Sequence, residues 1–80
     1  MYQSHHFELT VADDDEMALQ RIVGMCRARR CPIVALEFVA AQPHRAGALH
    51  LTVEARGDRA QLLAHLLSGL VGVRALRRPA

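Results

Sequence analysis

The chain predicts an α+β fold in which four short strands and two helices follow one another as β-α-β-β-α-β. Three observations carry this expectation. Apolar and polar residues alternate at 5–12 and again at 48–55, the period of a half-buried strand. Apolar residues recur at helical spacing in two intervening segments, each opened by acidic residues. The tripeptide Leu9-Thr10-Val11 returns as Leu51-Thr52-Val53, and a helical pattern follows it both times.

The first strand, 5–12, places Phe7, Leu9 and Val11 on one side and Glu8 and Thr10 on the other. Asp13, Asp14, Asp15 and Glu16 come next. Asp13 and Glu16 have the spacing of a capping box, and acids suit the positive end of a helix. Leu19, Ile22, Val23 and Cys26 then define an apolar stripe, and Arg27, Arg29 and Arg30 close the segment where cations complement the dipole. The first helix is therefore expected over 14–30.

Pro32 cannot continue that helix. Residues 33–41 are apolar on both parities, with Glu37 the one charge, and read as the second strand. Residues 42–47 carry turn chemistry. The third strand, 48–55, points Leu49, Leu51 and Val53 one way and His50, Thr52 and Glu54 the other. Gly57 and Asp58 open the second helix, with Asp58 and Gln61 as a second capping-box pair. Its expected buried stripe is Leu62, Leu63, Leu66, Leu67 and Leu70. Val73–Leu76 forms a short last strand, and Arg77 and Arg78 are expected to fray into solvent.

This order matches a split βαβ, ferredoxin-like sandwich. Right-handed crossovers give a four-stranded antiparallel sheet of order 4-1-3-2 with both helices on one face. Residues 1–80 read as one domain, and a chain this short buries so little surface that oligomerisation is expected.

The net charge of +2, from ten basic and eight acidic residues, is too balanced to announce a nucleic-acid binder. Every basic residue is Arg. The N-terminal MYQSHHFELT lacks a basic-then-apolar run, so a reducing cytoplasmic setting with free thiols is expected for Cys26 and Cys31. Cys26 lies on the apolar stripe and reads as a core thiol. Cys31 sits at a helix end before Pro32, where a reactive thiol is conceivable.

The uncovered sheet face should present His6, Glu8, Thr10, His50, Thr52 and Glu54, with His6 near Glu54 and Glu8 near Thr52. Two readings are open: a metal or acid-base site built from His6, His50, Glu8 and Glu54, or a solvated face with favourable cross-strand pairs. No CxxC or HExxH spacing supports the first, and no metal ligands are assigned. Catalytic signatures such as GxSxG or a Gly-rich phosphate loop are missing too. RNA-binding domains of this topology stack bases on central-strand aromatics, and here Phe7 should face the helices.

The second strand is an edge; soluble proteins protect edges with Lys, Pro, bulges or cover, and this one carries one charge and is apolar on both faces. It is expected to pair with a second copy of itself through Ile33, Val34, Ala35, Leu36, Glu37, Phe38 and Val39, giving an isologous dimer with one eight-stranded sheet. The alternative is an edge covered by the chain's own tail or a loop.

The run Ala18 to Phe38 (ALQRIVGMCRARRCPIVALEF) and the segment Leu62 to Leu76 (LLAHLLSGLVGVRAL) resemble an ACT domain, the small amino-acid-sensing module of biosynthetic regulation. More narrowly they are similar to the small regulatory subunit of acetolactate synthase (acetohydroxyacid synthase), of the short single-domain type. The resemblance implies a non-catalytic subunit that dimerises through its second strand. It implies a partner, the large catalytic subunit, which carries thiamine diphosphate, a divalent metal and FAD, while this chain holds no cofactor. It also implies feedback by valine or another branched-chain amino acid at the loop between the first strand and first helix. There the family's N-x-P-G-x-L motif offers backbone N–H groups to the effector carboxylate.

Aligned on Ala18-Leu19-Gln20-Arg21-Ile22, the Pro-Gly positions fall on Glu16 and Met17. The candidate effector residues are thus Asp13, Asp14, Asp15, Glu16 and Met17. Met17 fills space that glycine leaves open, and the acidic run repels a carboxylate. The expectation is activation of the catalytic subunit in branched-chain amino acid biosynthesis with weak or no valine response. The open sheet face and the Arg27/Arg29/Arg30 patch are candidate partner contacts, although the patch also serves as simple dipole complementation. A free-standing amino-acid sensor dimer, or a domain of this topology with an unrelated metal or enzymatic role, are the alternatives.

Overall fold

The computed structural model describes residues 2–12 and 17–79. Six elements follow in the expected order: β1 (Gln3–Val11), α1 (Ala18–Ala28), β2 (Ile33–Val39), β3 (Gly47–Ala55), α2 (Gly57–Ser68) and β4 (Val73–Arg77). They form one antiparallel sheet of order β2-β3-β1-β4. This is the expected strand order, written from the other edge.

The core is what the period-two pattern demands. Phe7, Leu9, Val11, Leu49, Leu51 and Val53 are buried on one sheet face. They join Ala18, Ile22 and Cys26 of α1 and Ala60, Leu63 and Leu67 of α2 in a single cluster. Both helices therefore cover the same face. No polar or charged side chain is buried among the described residues.

The register of the central pair differs from expectation by two residues. His6 lies opposite Thr52 and Glu8 opposite His50, while Glu54 faces Ser4. A shift of two keeps every side chain on its own face, so alternation alone does not choose between the two registers.

Helix α1 starts at Ala18 rather than 14 and ends at Ala28 rather than 30. The Asp13/Glu16 capping pair lies outside the described residues. Met17 precedes the helix with no side-chain cap, and its carbonyl accepts the Arg21 N–H at 3.0 Å. The helix ends in a Schellman motif. The Cys31 N–H bonds to Cys26 O (2.9 Å), the Arg30 N–H bonds to Arg27 O (3.1 Å), and Arg30 takes the left-handed position at φ 54°. Glycine is the usual occupant of that position because a Cβ is disfavoured there.

The capping box expected at α2 does not form. Arg56 is the N-cap, no side chain caps the helix, and Asp58 sits inside the first turn, 3.8 Å from Arg56 Nε. The buried stripe runs through Ala60, Leu63 and Leu67, and Leu62 is 48% exposed rather than buried. Gly72 takes φ 95° in the turn into β4, and its carbonyl accepts the Ala12 N–H at 2.8 Å, tying that turn to the end of β1. Strand β2 stops at Val39, two residues before the expected end.

Arg30→Gly relieves the left-handed strain at the α1 terminus and should stabilise the fold by about 1 kcal/mol in equilibrium denaturation. Equal or lower stability would contradict this account of the helix stop.

Candidate functional site

Strand β2 is an edge. It pairs with β3 along one side, and among the described residues no strand pairs with its other side. Leu36 lies opposite Leu51 and Phe38 opposite Leu49, so both point to the helix side of the sheet. Their partners are fully buried, yet Leu36 is 41% and Phe38 46% exposed. The reason is coverage: two helices span the central strands and leave this edge open. Val34, 56% exposed, is the extra residue where the register shifts between Ile33 and Ala35. The result is an apolar strip of three large side chains beside an unpaired row of backbone N–H and C=O groups. This shift is a bulge at the start of an edge strand that otherwise carries no Lys or Pro. No described tail or loop pairs with this edge.

The opposite sheet face carries a polar row across all four strands. Glu37, His50, Glu8 and Arg77 are successive register partners from β2 to β4. Arg77 Nη2 donates to both Glu8 oxygens at 3.0 and 3.1 Å, and His50 Nδ1 lies 3.7 Å from Glu8 Oε2. His6 Nδ1 and Thr52 Oγ1 share a hydrogen bond of 2.8 Å. Arg77 is largely exposed, so its pair with Glu8 is worth no more than about 1 kcal/mol. Among the described residues no three metal-ligating side chains converge. Glu54, opposite Ser4, stands away from the Glu8–His50 pair.

Arg77 and Arg78 do not fray. Arg78 Nη2 donates to His5 Nδ1 at 2.9 Å, and its guanidinium lies 5.2 Å from the Phe7 ring centre. An arginine only donates, so His5 Nδ1 accepts and Nε2 carries the proton given to Ala55 O at 3.1 Å. His5 and His6 thus point to opposite faces, as adjacent strand residues must. Phe7 is buried under the helices, so β1 and β3 present no aromatic platform for bases.

Both cysteines are free thiols in the core. Burial first, and the neighbouring Cys31 second, push the Cys26 thiol up from 9.0 to about 11. Burial also raises Cys31, partly offset by the Arg59 charge. A buried thiol with a raised pKa is a weaker nucleophile than an exposed one. Ser68 Oγ donates to His65 O at 2.8 Å, a local helix-end bond.

Of the candidate effector residues, Asp13, Asp14, Asp15 and Glu16 lie outside the described residues. Met17 is 49% exposed at the start of α1. Close by, Arg21 Nη1 donates to Val71 O at 3.1 Å, so the α1 start and the turn before β4 are tied together.

No family model matches the chain, and no curated protein sequence matches it. Solved structures do match. An ACT domain from GTP pyrophosphokinase of Chlorobium tepidum superposes with a TM-score of 0.80 at 15% identity, over 99% of this chain and 100% of that one. The fold is that of an ACT domain. The acetolactate synthase small subunit of Thermotoga maritima matches with a TM-score of 0.79 at 12% identity, over 95% of this chain and 47% of that one. An uncharacterized Thermotoga maritima protein matches with a TM-score of 0.73 at 15% identity, end to end in both chains. At these identities the likeness speaks for the ACT fold alone. Among the described residues no helix is long and apolar enough to cross a membrane.

One missed feature is the cleft walled by Arg29, Arg30 and Arg59. The sequence showed the first two as part of a helix-end patch. The third comes from α2, 29 positions after Arg30, and only the packing of α1 against α2 brings it there.

Iodoacetamide at pH 8 should leave Cys26 and Cys31 unmodified in the folded protein and alkylate both in denaturant. The neutral Cys26 thiol favours the folded state below pH 9.0. As pH rises from 9.0 to about 11 the unfolded thiol ionises first and that contribution is lost. The denaturation midpoint should therefore fall across this window, and fall less in Cys26→Ala. Rapid native labelling at Cys26 would contradict the burial.

Proposed function

We propose that this chain is a non-catalytic regulatory subunit that binds and activates the catalytic subunit of acetolactate synthase, in branched-chain amino acid biosynthesis in the cytoplasm. The observation that carries the reading is the superposition of 95% of the chain on the acetolactate synthase small subunit. The resemblance of Ala18 to Phe38 and Leu62 to Leu76 to that family points the same way. Thiamine diphosphate, the divalent metal and FAD belong, in this reading, to the separate catalytic subunit.

The chain acts as a homodimer joined along β2. Residues 33–39 of two copies pair edge to edge, which satisfies the open backbone groups and covers Leu36 and Phe38. A β2 edge apolar on its helix side supports this pairing. The loop at 13–17 is where a branched-chain amino acid would sit. Met17 stands where the family pattern has glycine and four acids precede it, so valine feedback is weak or nil. The polar sheet face, which no helix covers, is the surface offered to the catalytic subunit.

The second reading is a free-standing amino-acid sensor dimer acting on another partner.

Acetolactate formation by the catalytic subunit, with and without this chain and across a valine titration, separates these. Several-fold activation that valine leaves unchanged is the expected result. Activation abolished by valine would refute the reading of Met17 and the acidic run. No activation and no co-elution would refute the regulatory-subunit reading and leave the sensor.

A further inference from the structure

The C-terminal end of α1 and the first two turns of α2 enclose a cleft of about 390 Å³ lined by Ala28, Arg29, Arg30, Arg59 and Leu62. Its charge is one-sided. Three arginines line it, and no acidic residue does. Among the described residues none of the three forms an ion pair. The acid nearest in sequence, Asp58, faces Arg56 instead. Arg59 is held across the cleft by one bond, Nη1 donating to Arg29 O at 3.4 Å, which leaves its other N–H donors for a ligand.

The backbone adds to this field. Two of the last α1 carbonyls, those of Cys26 and Arg27, accept its Schellman bonds, and that of Arg29 accepts the Arg59 side chain. Arg59 sits in the opening turn of α2, the positive end of that helix dipole. The cleft also has an apolar wall. Leu62 occupies a position that the helical pattern expects to be buried, yet it is 48% exposed and stands beside Ala28. Arg30 holds a left-handed conformation that glycine would adopt without strain, and it is the third arginine at the cleft.

Guanidiniums bind phosphate oxygens through paired, charge-assisted hydrogen bonds, and a dianion relieves the repulsion among the three. The volume suits a small molecule rather than an extended chain. We propose that this cleft binds a small organic phosphate, its phosphate group held by Arg29, Arg30 and Arg59 and its apolar part against Ala28 and Leu62. The site is separate from the β2 edge, and it stands whether or not the catalytic partner is the one named above.

Calorimetric titration of the full chain with inorganic pyrophosphate and with adenosine diphosphate, at about 50 mM salt, tests this. Saturable binding of both is expected, tighter for adenosine diphosphate. Arg29→Ala and Arg59→Ala should each weaken binding about tenfold. Leu62→Ala should remove most of the advantage of adenosine diphosphate over pyrophosphate. Arg30→Gly separates folding from binding, because it should weaken binding while leaving the fold at least as stable. The proposal is overturned by no saturable binding up to about 5 mM, a level far weaker than a three-guanidinium site should need. It is equally overturned by binding unchanged in the Arg29→Ala/Arg59→Ala double variant, or by tight binding of an RNA oligonucleotide that pyrophosphate does not displace.

Discussion

The pairing of β1 with β3 is the constraint on which the rest of the structure depends. Nine register partners from Gln3↔Ala55 to Val11↔Gly47 hold the two strands side by side. Their alternation then gathers Phe7, Leu9, Val11, Leu49, Leu51 and Val53 on one face. Gly47 shows how close that packing is. A Cβ added there would lie 3.0 Å from Val11 Cγ2. Both helices must bury their stripes on this face because it is the continuous apolar surface that the sheet provides.

That constraint also explains what is left uncovered. Two helices of 11 and 12 residues cap the central strands and do not reach across β2. Leu36 and Phe38 point to the helix side and remain nearly half exposed. Burying an apolar side chain contributes roughly 1.5–3 kcal/mol, so two copies covering these residues reciprocally would gain several such terms as well as a strand's worth of backbone bonds. The proposed dimer is thus a consequence of having too few helices for four strands. The polar face can stay in water, since its row from Glu37 to Arg77 is charged or hydrogen-bonding.

Much of this was legible in the residues. Strand order, helix side and the edge position of residues 33–39 follow from periodicity and handedness, and Cys26 announced itself as a core thiol. The register did not, because β1 and β3 are not joined by a hairpin whose turn would fix it. The Asp58/Gln61 box failed because spacing identifies a pattern and not the turn at which a helix starts; Arg56 became the N-cap instead. Leu62 fits the helical stripe on paper but falls beyond its edge at the cleft. Arg78 gave no signal at all: its partners His5 and Phe7 stand more than 70 positions earlier and meet it only through the β1–β4 pairing. The Arg59 wall of the cleft was invisible for the same reason.

Sedimentation equilibrium of the free chain at micromolar concentration tests the central claim, that the open β2 edge is closed by a second copy. The account predicts a species of twice the 8.9 kDa chain mass, which Phe38→Glu converts to monomer without unfolding it. A wild-type chain that sediments as an 8.9 kDa monomer at those concentrations would contradict it.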